Sequence, residues 1–348
     1  MSVTIPRGDA GNLPLADASV DLIVTSPPYW ALRSYTDGGE HYDGQIGSEP
    51  NPAAYIDGLI RCTAEWVRVL KPGGSIWVNL GDKYAQATER SRNGNGGALV
   101  GTNPLRTGPV YAGKKGNGVP QKSLILLPER YRIACVDQLG LIARAVVIWD
   151  KPNGLPESVT DRVRRSHEDW VHLVKQPRYF AAVDAIREQY SPNKPWGDRG
   201  NEKYLANSGR RDGGSLGQSE RWTARAENPL GKLPGSVRTV ATQPLKVPAE
   251  LGIDHFAAFP MEWPRWIITG WCPEGGMVLD PFGGTGTTAL VAHALGRHGI
   301  SVDMSADYCR LARWRTTDPG QVAAAMQVEK PPKEHDGQLD LFGEKGAA

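Results

Sequence analysis

A chain of 348 residues, 40% hydrophobic and 22% charged, is long enough for one large α/β core with an inserted segment, or for two domains. Four scattered cysteines (Cys62, Cys135, Cys272 and Cys309) without C-x-x-C spacing exclude a disulfide scaffold and fit a reducing cytoplasm, and no apolar run approaches the roughly 18 residues of a membrane span. A formal charge of +2 is almost neutral, so any surface for a polyanion has to be local.

Taken in chain order, the first residues, Met1 to Pro6, lack the charged-then-apolar organisation of a signal segment. The apolar run Val20–Thr25 predicts a strand, and Ser26-Pro27-Pro28-Tyr29 follows it directly. Two consecutive prolines fix φ near −65° and carry no N–H. A hydroxyl, a rigid carbonyl acceptor and an aromatic face therefore gather at one strand end, a set suited to a flat base bearing amino protons. Amphipathic periodicity predicts helices over Tyr55–Leu70 and Leu127–Leu139, with strands over Ser75–Leu80 and Leu141–Trp149. His167 and His172 are five apart with no third ligand spaced to join them, so no metal site is expected. Trp263, Trp266 and Trp271 are expected to pack the core or the cofactor segment from one side of a helix.

Near the C-terminal end, Met277–Asp280 predicts a strand, Pro281-Phe282-Gly283-Gly284-Thr285-Gly286 a Gly-rich turn, and Thr287–Leu295 a helix. Glycines admit a ligand close to the backbone, and the helix start offers unpaired N–H groups. A further strand, Gly299–Val302, ends at Asp303, 23 positions beyond Asp280. That lies near the roughly 20-residue spacing at which a carboxylate meets ribose hydroxyls in dinucleotide folds. The loop is neither GxGxxG nor a Gly-Lys-Ser/Thr phosphate loop, which disfavours nicotinamide, flavin and nucleoside triphosphate. Alternating strands and helices predict a doubly wound, mostly parallel α/β sheet with ligands at the carboxyl ends of its strands.

These motifs together resemble the amino-methylating DNA methyltransferases that use S-adenosylmethionine. Ser26–Tyr29 is similar to the family's catalytic motif and Asp280–Gly286 to its cofactor motif, in the permuted order of the β group. Arg7-Gly8-Asp9-Ala10 matches the cofactor-adenine segment, and Val69-Leu70-Lys71-Pro72-Gly73-Gly74 looks like a helix-to-strand turn. His255-Phe256-Ala257-Ala258-Phe259-Pro260 resembles the piece that closes over the methionine end of the cofactor. Trp149-Asp150-Lys151-Pro152-Asn153-Gly154 resembles the segment beside the flipped base. The resemblance implies a Rossmann-like methyltransferase fold with Ser26, Pro27, Pro28 and Tyr29 catalytic. It implies that Asp9, Phe259, Pro260, Asp280, Phe282, Gly284, Thr285, Gly286, Thr287 and Asp303 hold S-adenosylmethionine. Trp30, Trp149 and Lys151 are candidates for the base pocket, and Lys114 and Lys115 for DNA contact. Ser at the first motif position is commoner among enzymes acting on N4 of cytosine, and the alternative is N6 of adenine. An RNA or protein N-methyltransferase of the same chemistry is a further alternative.

The resemblance divides the chain into catalytic segments 1–82 and 123–185, a cofactor half 251–318 and a flexible tail 319–348. Between them lie a Gly-rich loop, 83–122, and an expected target recognition region, 186–250. Residues 83–132 carry nine Lys or Arg against two acids, and 186–250 eleven against seven. Such local excess fits double-stranded DNA as partner, with salt-dependent binding. In the tail, Gln338-Leu339-Asp340-Leu341-Phe342 resembles the peptide by which bacterial replication and repair proteins dock on the sliding clamp, its positions Gln338, Leu339, Leu341 and Phe342 matching. The other reading is a tail folded back on the enzyme's own apolar surface. The expected setting is the cytoplasm of a bacterium or a phage-infected host.

Overall fold

Side chains of Leu22, Ile23 and Val24 alternate between two cores, one on each side of a central sheet. The structure is a computed structural model that describes residues 2–31, 36–37, 40–41, 44–85, 119–154, 156–190, 228–245, 247–253 and 258–327. In chain order its strands are β1 (Val3–Thr4), β2 (Val20–Thr25), β3 (Thr36–Asp37), β4 (Glu40–His41), β5 (Leu70–Leu80), β6 (Ile142–Asp150), β7 (His167–Val174), β8 (Val237–Thr239), β9 (Met277–Asp280) and β10 (His298–Ser301). The helices are α1 (Pro52–Val69), α2 (Leu127–Leu139), α3 (Glu262–Trp271), α4 (Thr287–Ala294), α5 (Ala306–Thr317) and α6 (Pro319–Met326).

Eight strands form one sheet in the order β1-β10-β9-β2-β5-β7-β6-β8, and β3 pairs with β4 in a separate hairpin. Strands β1, β10, β9, β2 and β5 run parallel; β7 is antiparallel to both β5 and β6, and β8 is parallel to β6. Ile23 of β2 shares one core with Leu59 and Trp66 of α1 and Tyr131 of α2, whereas Leu22 and Val24 share the other with Trp263 and Ile267 of α3. Helices on both faces of a mostly parallel sheet make the doubly wound fold that the alternation predicts.

Where boundaries differ, local chemistry explains the shift. Helix α1 starts at Pro52 rather than Tyr55, because Asn51 accepts from the Ala54 N–H at 2.9 Å and proline is at home in a first turn. The expected turn over residues 69–74 is instead an irregularity inside β5, whose register against β2 jumps from Val20↔Leu70 to Leu22↔Ser75. Strand β7 is additional to the predicted elements. Its His172 is buried, stacks on Trp77 with centroids 4.3 Å apart, and shares a 3.1 Å hydrogen bond with Ser75. Part of the expected recognition region, β8, joins the edge of the main sheet; residues 191–227 and the loop 86–118 lie outside the described residues. The segment expected to be a flexible tail opens with helix α6, which Asp318 caps by accepting from the Gln321 N–H at 2.9 Å.

Candidate active site

Adjacency of β2 and β9 is what assembles the site. They pair in parallel through Leu22↔Val278 and Ile23↔Leu279, so Ser26–Tyr29 and the Gly-rich loop leave neighbouring carboxyl ends. Strand β10 lies beside β9, with Ser301 opposite Asp280, and delivers Asp303 to the same edge. Arg7 bridges to Asp303, and the Gly8 N–H donates to the Asp303 carbonyl at 3.0 Å, which brings Asp9 alongside. Motifs at opposite ends of the chain thus meet at one edge of the sheet.

A cavity of about 300 Å³ occupies this edge, lined by Asp9, Ser26, Pro28, Phe282, Gly284 and Asp303 among others. Its size falls at the lower end of ordinary small-molecule sites. The Asp303 carboxylate is fixed by the N–H groups of Gly284 and Ser305, each 2.9 Å away. Asp9 accepts from the Gly11 N–H at 2.9 Å. Phe282 presents a ring held edge-on against Trp66, centroids 5.9 Å apart. At Gly283 a Cβ would fall 1.9 Å from Ser301 Oγ, so the loop closes only with glycine there. Two carboxylates, an apolar ring and bare backbone in one enclosed space fit a nucleoside with free ribose hydroxyls.

Sequence and structure comparisons agree with this geometry. The family model described as DNA methylase matches residues 20–313. The chain belongs to the N6/N4 DNA methylase family. It is 33% identical over 298 residues to the Type II methyltransferase M.SmaI of Serratia marcescens, covering 85% of this chain and 83% of that one. To M.Cfr9I of Citrobacter freundii it is 32% identical over 311 residues, covering 89% and 86%. Among solved structures, the cytosine-N4-specific PvuII DNA methyltransferase shares the fold with a TM-score of 0.59 at 18% identity, over 94% of this chain and 92% of that one. A Thermus thermophilus protein described as a DNA modification methylase, in complex with S-adenosyl-L-methionine, superposes with a TM-score of 0.50 at 20% identity over 94% and 98%. The methylase uses S-adenosylmethionine as its methyl donor, and the cavity residues fit the adenosine portion of it.

Beside the cavity, the methylase holds Ser26–Tyr29 in a hydrogen-bonded corner. Ser26 Oγ donates to Asn79 Oδ1 at 3.4 Å, and Asn79 Nδ2 donates to the Asp169 carbonyl at 3.2 Å. The Tyr29 hydroxyl lies 2.8 Å from Glu168 Oε2 and 3.0 Å from Asn79 Oδ1. Glu168 is ion-paired with Lys151, whose ammonium sits 4.2 Å from the centroid of the Trp149 ring. Burial, and then the Glu168 charge, push the Tyr29 phenol well above its ordinary value, so it stays a donor. Its ring rests on Gly81, where a Cβ would come within 2.6 Å. Neither Asn79 nor Glu168 stands out in the sequence; each becomes visible once β5 and β7 are paired. If Glu168 acts by holding Tyr29, Glu168→Gln and Tyr29→Phe should each slow methyl transfer about tenfold. The double variant should then be no slower than the worse single one, and additive losses in single-turnover rates would place Glu168 in another role.

Several residues expected in the site turn away from it. Asp280 is buried: Oδ1 accepts from Thr25 Oγ1 at 2.7 Å and the Phe282 N–H at 3.2 Å, and Oδ2 from Thr288 Oγ1 at 2.8 Å. It ties the loop to β2 rather than lining the cavity. Thr285 and Thr287 accept from the buried Arg315 guanidinium at 2.7 and 2.6 Å, because the αL turn at Gly286 points them under the loop. Phe259 packs edge-on against Trp170, and the Pro260 carbonyl accepts from the Trp263 N–H at 3.1 Å at the start of α3. Trp30 and Trp149 are core residues: Trp30 Nε1 donates to the Glu49 carbonyl at 2.8 Å, and Trp149 Nε1 to the Val240 carbonyl at 2.6 Å. Lys114, Lys115 and His255–Ala257 lie outside the described residues. Cys62 lines the cavity, but burial and then Asp9 push its thiol up to about 12, so it stays protonated.

Burial also raises the Asp280 carboxyl from 3.8 to about 6. Between these values the folded protein keeps a proton that the unfolded chain has released, so Asp280's contribution to stability falls as pH rises through that window. The stability of the wild type relative to Asp280→Asn should therefore fall from about pH 4 to about pH 6 and then level. Denaturant midpoints across that range measure it; a relative stability that rises with pH would contradict the assignment.

Proposed function

We propose that this methylase modifies N4 of cytosine in double-stranded DNA at a specific site, within a bacterial or phage-infected cell. The observation that carries the reading is Ser26 on the cavity wall with its proton directed to Asn79, which leaves the hydroxyl lone pairs available to an incoming amine. An exocyclic amino nitrogen is a poor nucleophile because its lone pair is delocalised into the ring. Acceptance of its protons by Ser26 Oγ and the Pro27 carbonyl favours a pyramidal nitrogen. When bound, S-adenosylmethionine supplies a methyl group on an electrophilic sulfonium. Alignment is most of the remaining work, and the Ser26–Tyr29 turn provides it beside the Gly-rich loop. Tyr29 offers a ring for the extruded base to stack on, which offsets part of the few kcal/mol needed to leave the helix.

A serine hydroxyl also suits adenine, so N6 of adenine is the second reading. Incubating the purified protein with methyl-labelled S-adenosylmethionine and duplex DNA, RNA or protein tests the proposal. Label in DNA recovered as N4-methylcytosine supports it; label in N6-methyladenine selects the second reading, and label confined to RNA or protein overturns both. The tail motif Gln338–Phe342 lies outside the described residues. Its resemblance supports docking on the sliding clamp, an idea to be dropped if a peptide of residues 335–345 does not bind the clamp at tens of micromolar.

A further inference from the structure

Between β6 and β7, residues 151–154 and 156–166 belong to a connection that begins and ends at the Ser26–Tyr29 corner. Its base is closed by the Lys151 N–H donating to the Ser166 carbonyl at 2.8 Å, next to the Lys151–Glu168 pair that holds Tyr29. Arg164 donates to the Gly154 carbonyl at 3.0 Å, and Arg162 pairs with Glu157 at 2.6 Å. The Arg162 guanidinium also lies 3.6 Å from the centroid of Tyr84, three residues beyond the Gly81 that supports the Tyr29 ring. Lys122 braces the loop through Asp161 at 2.6 Å. Despite these ties, Val163 is left 83% exposed, the most exposed large hydrophobic side chain among the described residues.

An apolar side chain held in water between arginines, on a braced loop beside a base-flipping site, has a natural complement. The interior of a duplex is apolar and stacked, its edges are anionic, and extrusion of one base opens a gap between neighbours. Valine is stiff about χ1, so placing it there loses little side-chain freedom. We propose that Val163 enters the DNA helix at the gap left by the target base, with Arg164 on the adjoining backbone. This rests on the DNA-methylating reading above. Phosphate contacts from the loop fix register, and the apolar contact stabilises the opened pair.

The test compares single-turnover methylation by wild type and Val163→Ser on two duplexes carrying the mapped recognition motif. In one the target base is normally paired, and in the other it faces an abasic position. Because Val163 is exposed, its replacement leaves the core intact. The expected result is a loss of about tenfold on the paired duplex and little loss on the abasic one, where no pair has to be parted. Equal losses on both duplexes, or none on either, would overturn the proposal. A wild-type protein inactive on every DNA would remove the reading beneath it as well.

Discussion

Ser26→Ala is expected to lower the rate of methyl transfer by about 10²- to 10³-fold while leaving affinity for S-adenosylmethionine within a few-fold of wild type. Ser26 shares the cavity with Asp9, Phe282 and Asp303, but its hydroxyl proton is committed to Asn79 rather than to the cofactor loop. Its removal takes away an acceptor for the amine and leaves the nucleoside end untouched. Rapid-quench rates alongside equilibrium binding separate the two effects. A variant that loses cofactor affinity but keeps its rate at saturation would assign Ser26 to binding instead.

Asp303→Ala should show the opposite division, weakening S-adenosylmethionine binding by about a hundredfold. Asp303 both faces the cavity and orders it, since one carboxylate takes the N–H groups of Gly284 and Ser305 at 2.9 Å each. Loss of the side chain removes a charged acceptor for hydroxyls and frees the backbone that shapes the loop. Asp303→Asn, which keeps an acceptor, should lose less. Calorimetry with the three proteins measures the series, and binding by Asp303→Ala within threefold of wild type would contradict the assignment.

The placement of Ser26–Tyr29 and of the Gly-rich loop was legible because each is a strand end followed by residues with few alternatives: two prolines in one case, clustered glycines in the other. Their separation in sequence concealed nothing, since β2 and β9 are neighbours. What sequence could not show was the direction of side chains within the Gly-rich loop. Asp280, Thr285 and Thr287 point inward because their partners, Thr25, Thr288 and Arg315, come from other elements. Glu168 and Asn79 were hidden for the same reason, as their meeting with Tyr29 depends on β5 and β7 lying side by side. Trp149 resembled a pocket residue, yet its indole N–H is taken by the Val240 carbonyl and its ring packs against Trp263.

The most direct measurement is base-resolved methylation mapping of DNA from a methylation-deficient host expressing either the wild-type protein or Ser26→Ala. The expected result is N4-methylcytosine in one short motif with wild type and its loss with the variant. No amino-methylated base with wild type, or a mark that persists undiminished in Ser26→Ala, would contradict the central claim.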